Sequence, residues 1–252
     1  GYNNVAIGHS VLENNSTGYW NTAIGNDALN ENTTGYGNTA IGEDALQANT
    51  TGNQNVAIGA FSLQTNTTGY RNTSIGRNAM EYNTTGYGNS ATGAYALRFN
   101  TTGLDNTADG FASMYANTTG SHNTAIGREA LTTDTLGSRS VAIGNHALQV
   151  QNFTTATNAY NVAVGYDAGR NVTTGTSNTL IGGLAGDAVT TGGNNVAVGL
   201  NALGSNTASF SNVAIGVRAL EDFNVTTATS TYNVAVGEDA GTSVTTGTKN
   251  TL

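Results

Sequence analysis

The sequence predicts an all-β protein, a parallel β-solenoid or β-roll built from 17-residue turns. Three observations predict it. The motif Asn-x-Ala-Ile-Gly recurs along all 252 residues, at twelve 17-residue and two 21-residue intervals. A repeat of this length is too short for a pair of helices and fits one coil with short strands and tight turns. The chain also has 34 glycines, no proline and only 10% charged residues, well below the charged share of a typical globular domain.

One repeat reads Asn-Thr/Val-Ala-Ile-Gly-x-x-Ala-Leu-x-x-Asn-Thr-Thr-Gly-x-x. We number its positions 1 to 17, so that residues 21–37 form one repeat. The repeats make a single continuous array over residues 1–252, with regular 17-residue turns in 4–139. Residues 140–252 contain two 21-residue turns, whose similar insertions begin at Asn152 and Asn224 and define a 72-residue super-repeat. We therefore expect a duplicated block of four turns in this half, and an array that is a slice of a longer fibre.

Each repeat is expected to hold two short strands, one at positions 2–4 and one around Leu-x-x-Asn-Thr-Thr. Stacking of identical turns places identical side chains about 4.8 Å apart. The glycine at position 5 is present in all fourteen complete repeats, which predicts a positive φ or a close backbone approach there. These structural turn glycines are Gly8, Gly25, Gly42, Gly59, Gly76, Gly93, Gly110, Gly127, Gly144, Gly165, Gly182, Gly199, Gly216 and Gly237.

The first strand is predicted to bury both of its faces. Side chains alternate across a strand, so Thr22 and Ile24 share one face while Ala23 takes the other. A turn with two strands encloses only one face, and the other needs further copies of the chain. The preferred prediction is therefore a homotrimeric rod. The alternative is a wider monomeric solenoid that encloses the Ile and Leu columns while Ala faces a loop.

Positions 9 and 12 vary together. Position 9 is usually Leu or Met, and position 12 is usually Asn, for which we predict a hydrogen-bonded ladder or an Asx turn. Three repeats lack the Leu and carry Val in place of the Asn: Gly169 with Val172, Gly186 with Val189, and Gly241 with Val244. Because volume lost at one position returns at the other, both positions are expected to reach the same core space.

Two neighbouring repeats carry polar residues where Ile is expected, Thr92 and Asp109. On a trimer axis, three copies of Asp109 would converge and could hold a cation or water. The alternative, which we favour, is a local bulge that turns Asp109 to solvent, since a buried unpaired carboxylate is costly.

The segment Asn3-Asn4-Val5-Ala6-Ile7-Gly8-His9-Ser10 resembles the Asn-Ser-Val-Ala-Ile-Gly-x-x-Ser repeat of trimeric autotransporter adhesin heads, the YadA-like family. The resemblance recurs in every repeat. It implies a left-handed parallel β-roll with three chains side by side, displayed outside a bacterial cell and binding host matrix proteins or one another. Similar repeats are shared with phage and viral tail fibres. The family's turn is usually a few residues shorter, and Asn-Thr-Thr-Gly is not its usual second half.

No residue pattern points to an enzyme, and we predict no catalytic, cofactor or metal site. His9, His122 and His146 are scattered and have no partnered nucleophile. The acidic pairs Glu43-Asp44 and Glu238-Asp239 are interpreted as solvated turn residues, with cation contact as the alternative. A net charge of −8 argues against nucleic acid as a partner, and no apolar run approaches the length of a membrane span.

Aromatic residues are the predicted ligand contacts, because aromatics stacked at an edge can hold sugars or protein surfaces. The alternative is that they cover turn backbone or pack between chains. These candidates are Tyr19, Trp20, Tyr36, Tyr70 and Tyr87. Candidate inter-chain contacts follow the position-5 glycine: Phe61, Tyr95, Phe111, Leu184, Leu200 and Val217. The Asn-x-Thr sequons are interpreted as ladder residues rather than glycan acceptors.

The repeat pattern predicts a structural fibre, and the resemblance to YadA-like heads and tail fibres implies an extracellular adhesin shaft or head on a cell or virion surface. It would give rigid reach and multivalent attachment, with itself and a host or neighbouring-cell protein or glycan as partners. A phage or viral tail-fibre shaft is one alternative. An ice-binding solenoid is another, although neighbouring threonines such as Thr33 and Thr34 would point to opposite faces. A sugar lyase would need acidic clusters in a cleft, which the pattern lacks.

Overall fold

The computed structural model describes residues 1–252 and shows an all-β parallel β-solenoid of about fourteen 17-residue turns, with no helix. Contacts divide the chain into two compact units, Gly1–His122 and Asn123–Leu252. The strands of the first unit are β1 (Val5–Ile7), β2 (Thr22–Ile24), β3 (Thr39–Ile41), β4 (Val56–Ile58), β5 (Thr73–Ile75), β6 (Ser90–Thr92) and β7 (Thr107–Asp109). Those of the second are β8 (Thr124–Ile126), β9 (Gly137–Ser138), β10 (Val141–Ile143), β11 (Thr157–Asn158), β12 (Val162–Val164), β13 (Thr179–Ile181), β14 (Val196–Val198), β15 (Val213–Ile215) and β16 (Val234–Val236).

Within each unit the three-residue strands pair in parallel, and the repeat sets their register. Ala23 of β2 pairs with Ala40 of β3, one repeat later. The register survives the first 21-residue turn, because Ala142 of β10 pairs with Ala163 of β12. The two-residue strands β9 and β11 pair with each other beside this insertion. The extra residues therefore lie outside the main strands and do not shift the columns of side chains.

The predicted second strand of each turn is wrong. Asp27 and Leu29, at positions 7 and 9, both have a φ of 52°, which is incompatible with an extended strand. Backbone hydrogen bonds nevertheless join this flank from turn to turn. Leu29 N donates to Ala45 O at 3.0 Å, and Glu31 N donates to Gln47 O at 3.0 Å. The amides of this flank are thus satisfied by the next turn without β geometry.

The core lies between the strand flank and the flank of positions 8 to 12. Ala23, Ala28 and Leu29 are completely buried, and their equivalents are buried in nearly every turn. Ile41 and Ile126, from the opposite face of their strands, are 36% and 38% exposed. The alternative in which Ile is enclosed and Ala faces a loop is therefore wrong. Alanine fits the interior because leucines from the second flank fill the remaining space.

The coupling between positions 9 and 12 is confirmed, and it extends to position 3 of the strand. Leu180 replaces the usual Ala at position 3 and is completely buried. A Cβ atom added to Gly169 would lie 2.6 Å from Leu180 Cδ1, and one added to Gly186 would lie 2.6 Å from Leu180 Cδ2. Both hypothetical atoms would also contact the valine of their own turn, Val172 or Val189, at 3.4 Å. Leu180 and the two valines thus occupy the space that two missing leucines leave.

The position-5 glycines behave as predicted. All fourteen have a positive φ, between 124° and 142°. A Cβ atom on Gly59 would lie 2.7 Å from the carbonyl carbon of Gly76, the same residue one turn later. Position 5 therefore requires glycine for its backbone conformation and for the close approach of the next turn.

Candidate functional site

The outward face of the strands is a surface of branched aliphatic side chains. In β4, Ala57 points into the core, Val56 is half-buried and Ile58 is 36% exposed. Because the strands stack in register, the first and third residues of each strand form two columns in each unit. Of the 28 outward side chains on the fourteen three-residue strands, 19 are Val or Ile and one is charged. This face is therefore largely apolar, and more so in the second unit, where 12 of the 14 outward residues are Val or Ile.

The one charged residue of this face is Asp109. Strand β7 keeps the regular register, with Thr92 of β6 opposite Asp109, so the predicted bulge is wrong. The Asp109 side chain is nevertheless exposed on the strand face. In residues 1–252, no group of three or more His, Asp or Glu side chains is arranged to hold a metal ion. The axial ion or water site therefore stays a hypothesis about assembled chains.

The asparagines of position 12 form the predicted ladder, and those of position 1 add bonds to the same carbonyls. Asn32 Nδ2 donates to Asn15 Oδ1 of the preceding turn at 2.8 Å and to Gly35 O at 3.1 Å. Gly35 O also accepts from Asn21 Nδ2 at 2.9 Å. The position-12 ladder continues in the first unit to Asn117. Asn32 is completely buried, so this sequon nitrogen is not available to a glycan in the folded chain.

The predicted ligand-contact tyrosines form two stacks at position 16 of the first unit. Tyr19 stacks on Tyr2 and Tyr36 with ring centroids 5.1 Å and 5.0 Å apart, and Trp20 meets the edge of Tyr19 at 5.0 Å. The second stack, Tyr70 with Tyr87, has centroids 4.8 Å apart. Because the rings cover each other's faces, they offer edges and hydroxyl groups to a partner. Trp20 is the most exposed of the predicted contacts, at 60%.

Sequence reasoning missed a cluster of aromatic rings around Arg98 in the first unit. The cluster consists of Tyr82, Tyr95, Phe99 and Tyr115, whose ring centroids lie 5.2 to 5.9 Å from the Arg98 guanidinium carbon. Tyr82 and Phe99 stack in parallel at 5.1 Å, and Phe99 meets Tyr115 perpendicularly at 5.0 Å. We call this group, together with Glu81 and Asn78, the Arg98 cluster.

A hydrogen-bond network holds Arg98 in this cluster. Its Nε donates to Glu81 Oε2 at 2.7 Å, and its Nη1 donates to the Tyr115 hydroxyl at 3.1 Å. Asn78 Nδ2 donates to the same Glu81 oxygen at 2.7 Å. The hydrogen bond to Glu81 raises the pKa of Arg98, so the guanidinium stays charged. The signal for this cluster was the replacement of polar residues at positions 10 and 11 in successive repeats.

Two of the histidines, His122 and His146, and the acidic residues Asp44 and Asp239 meet polar or charged side chains of neighbouring turns. His146 Nδ1 lies 3.0 Å from Asp167 Oδ1, and Nε2 lies 3.7 Å from Glu129 Oε2. Asp44 accepts a hydrogen bond from Gln64 at 3.1 Å. Burial, followed by the charges of its acidic neighbours, raises the pKa of Asp44. These contacts join side chains of neighbouring turns.

In comparisons with known proteins, no family model matches this sequence, and no curated protein matches it. The structure contains no helix with the length and apolarity needed to cross a membrane.

Proposed function

We propose that the chain is part of an extracellular structural fibre, an adhesin head or shaft, in which three parallel copies join through their strand faces. The observation that carries the proposal is the outward face of the strands, with its 19 Val and Ile side chains. Exposed apolar surfaces of this extent mark association sites in soluble proteins. A closed symmetric assembly would hide this face in every copy.

Parallel copies place the same strand of each copy at the same level around a common axis, so that equivalent outward side chains meet. The absence of charge from 27 of the 28 outward positions removes like-charge repulsion from nearly every row. The choice of three copies, the left-handed coil and the cell or virion surface rest on the resemblance to YadA-like heads and tail fibres. Rigid turns and several identical surfaces per fibre would favour multivalent attachment.

The ice-binding alternative has less support. Thr33 Oγ1 donates to Thr50 O at 3.0 Å, and Thr50 Oγ1 donates to Thr67 O at 3.1 Å. The position-13 hydroxyl protons are thus donated to the backbone of the next turn, which leaves the exposed threonines of position 14, such as Thr34, as the remaining column for an ice lattice.

Sedimentation equilibrium tests the proposed assembly with two matched pairs of lysine substitutions. The variant V164K/V198K places charges on the strand face and should sediment as a single chain. The control T174K/T191K places the same charges at exposed positions of the other flank and should remain trimeric. Circular dichroism would show that both keep their β structure. A trimeric V164K/V198K protein would contradict the proposed interface.

A further inference from the structure

The Arg98 cluster lies on the flank opposite the strand face. Tyr82 and Phe99 occupy position 11 and Arg98 occupies position 10, whereas β5 and β6 lie across the core. Tyr82 is 37% exposed, and Arg98 retains 23% of its side-chain exposure. An assembly closed on the strand faces would therefore leave this cluster open to solvent.

The cluster is a local departure from the repeat. In the earlier turns of the first unit, positions 10 and 11 are small or polar, as in Asn30-Glu31 and Gln64-Thr65. The next three turns carry Glu81-Tyr82, Arg98-Phe99 and Tyr115-Ala116. The fold does not need aromatics here, because the earlier turns form the same backbone without them. The appearance of three aromatics and an ion pair over three turns therefore points to recognition.

The polar groups of the cluster have capacity left for a ligand. Arg98 Nη2 and Glu81 Oε1 have no hydrogen-bond partner within the chain, and Glu81 is 7% exposed. The Tyr115 hydroxyl accepts from Arg98, so its own proton is free to be donated. A donor, an acceptor and a hydroxyl thus accompany the aromatic rings.

We propose that the Arg98 cluster binds an uncharged glycan chain. Glu81 neutralises Arg98, so the cluster has no net charge that would favour an anionic ligand. Sugars combine apolar C–H faces with hydroxyl groups that donate and accept, which matches rings beside fixed polar groups. The inference deepens the proposed attachment role by naming its surface and ligand class, but binding by one cluster does not require the trimer.

Affinity electrophoresis with soluble polysaccharides tests the inference. The probes are hydroxyethyl cellulose, mannan, galactan and dextran, with polygalacturonate as the anionic comparison. At least one neutral polysaccharide should retard the wild-type chain. The variant Y82T/F99T takes the threonine that position 11 has at Thr65, and its binding should be weaker by about tenfold. A second variant, E81Q/R98Q, should also bind more weakly while keeping the rings, and circular dichroism checks both folds.

Two exposed tyrosines of the second unit supply the matched control. The variant Y160S/Y232S takes the serine that the last position of the turn has at Ser177 and Ser211, and it should bind as the wild type does. Trp20 is the only tryptophan, and it lies more than four turns from Arg98, about 20 Å or more along the stack. Its emission should therefore stay unchanged on binding.

The inference would be overturned if no neutral polysaccharide retarded the chain, or if only polygalacturonate did. It would also be overturned if Y82T/F99T bound like the wild type, or if Y160S/Y232S abolished binding. A monomeric chain that is still retarded would refute the proposed assembly and leave the inference standing. A trimeric chain that is not retarded would support the proposed assembly and overturn the inference.

Discussion

The two units fill the same interior space in different ways. In the first unit, position 9 is always Leu or Met, and position 12 carries an unbroken asparagine ladder from Asn15 to Asn117. In the second, position 12 holds Asp134, Gln151, Val172, Val189, Asn206, Phe223 and Val244. The comparison shows that a turn can fill this space either with hydrogen-bonded polar side chains or with apolar side chains. Where neighbouring turns differ, a ladder partner is lost: Asn206 lies between Val189 and Phe223, and its Nδ2 is buried without a partner.

The outward faces differ as well. In five of the seven three-residue strands of the second unit, both outward residues are Val or Ile, against two of seven in the first unit. At position 6 the second unit exposes Tyr166, Leu200 and Val217, whereas the first exposes Phe111. The first unit instead carries the polar rows of β6 and β7 and the Arg98 cluster. Self-association is therefore expected to depend more on the second unit, and ligand recognition on the first.

The largest effects should come from the feature that the units share, the position-5 glycine. We expect Gly59→Ala and Gly127→Ala to destabilise the chain similarly, by about 3 kcal/mol or more each. Both glycines have a φ near 125°, and a Cβ atom on either would lie 2.6 to 2.7 Å from the carbonyl carbon of the next turn's glycine. Urea unfolding of the two variants measures the effect. A large difference between them would show that the units do not share this constraint.

Removing Leu180 should damage the apolar core of the second unit. We expect Leu180→Ala to cost about 2–5 kcal/mol, because it empties the space that Gly169 and Gly186 leave. Gly169→Leu alone should also destabilise the chain, since its Cβ would lie 2.6 Å from Leu180 Cδ1. The double variant L180A/G169L should be more stable than the sum of the two single effects predicts. Additive free energies of unfolding would refute the shared space.

The ladder predicts that an Asn→Val substitution at position 12 costs much more stability in the first unit than in the second. Asn66→Val should cost about 2–3 kcal/mol, because it leaves the buried Asn49 Oδ1 without its donor at 2.9 Å. In the second unit, Asn206 Nδ2 is already buried without a partner. The variant N206V/S209G removes the serine hydroxyl that donates to Asn206 Oδ1, and only the backbone N–H of residue 209 then needs a new acceptor, as the Gly175 amide has at Thr190 O. It should therefore cost less than Asn66→Val, about 1 kcal/mol. Ser209→Gly alone is the control, and equal losses in both units would contradict the ladder account.

Asp134 should give the chain a pH dependence that an asparagine would not. Burial raises the pKa of Asp134, against the hydrogen bond from Gln151 and those from the backbone. The folded state therefore binds the proton more tightly than the unfolded state, whose pKa is about 3.9. The stabilisation by this proton is complete at pH values below the pKa of Asp134 in the unfolded chain. It is lost as the pH rises through the pKa of Asp134 in the folded chain.

Urea unfolding between pH 4 and pH 8 measures this effect. The wild-type free energy of unfolding should decline as the pH rises, and the variant Asp134→Asn should not show this part of the decline. Asn66→Asp, which places an acid in the first unit's ladder, should introduce such a decline. Parallel pH profiles for wild type and Asp134→Asn would show that Asp134 does not titrate differently in the folded chain.

Much of the fold followed from the sequence because the repeat acts on every turn at once. The spacing of Asn-x-Ala-Ile-Gly predicted the stacking and register, and the invariant glycine predicted the positive φ. The prediction of a second strand was wrong because a leucine at position 9 gives no sign of the left-handed backbone conformation that it adopts, as Leu29 does. Which strand face lies inside was also open, since both Ala23 and Ile24 are apolar and alternation alone does not rank them.

The candidate sites were harder to predict. The tyrosines of position 16 were found because one column repeats them. The Arg98 cluster was missed because Tyr82, Tyr95 and Arg98 occupy three different positions of the repeat. They meet because side chains at the corner of one turn reach the next turn. Contacts of this kind need the geometry of the turn, which spacing alone does not supply.

Sedimentation equilibrium of the wild-type chain decides whether further copies cover the strand face. We expect a species of about three times 25.6 kDa that persists on dilution. A single 25.6 kDa species with intact β structure would contradict it.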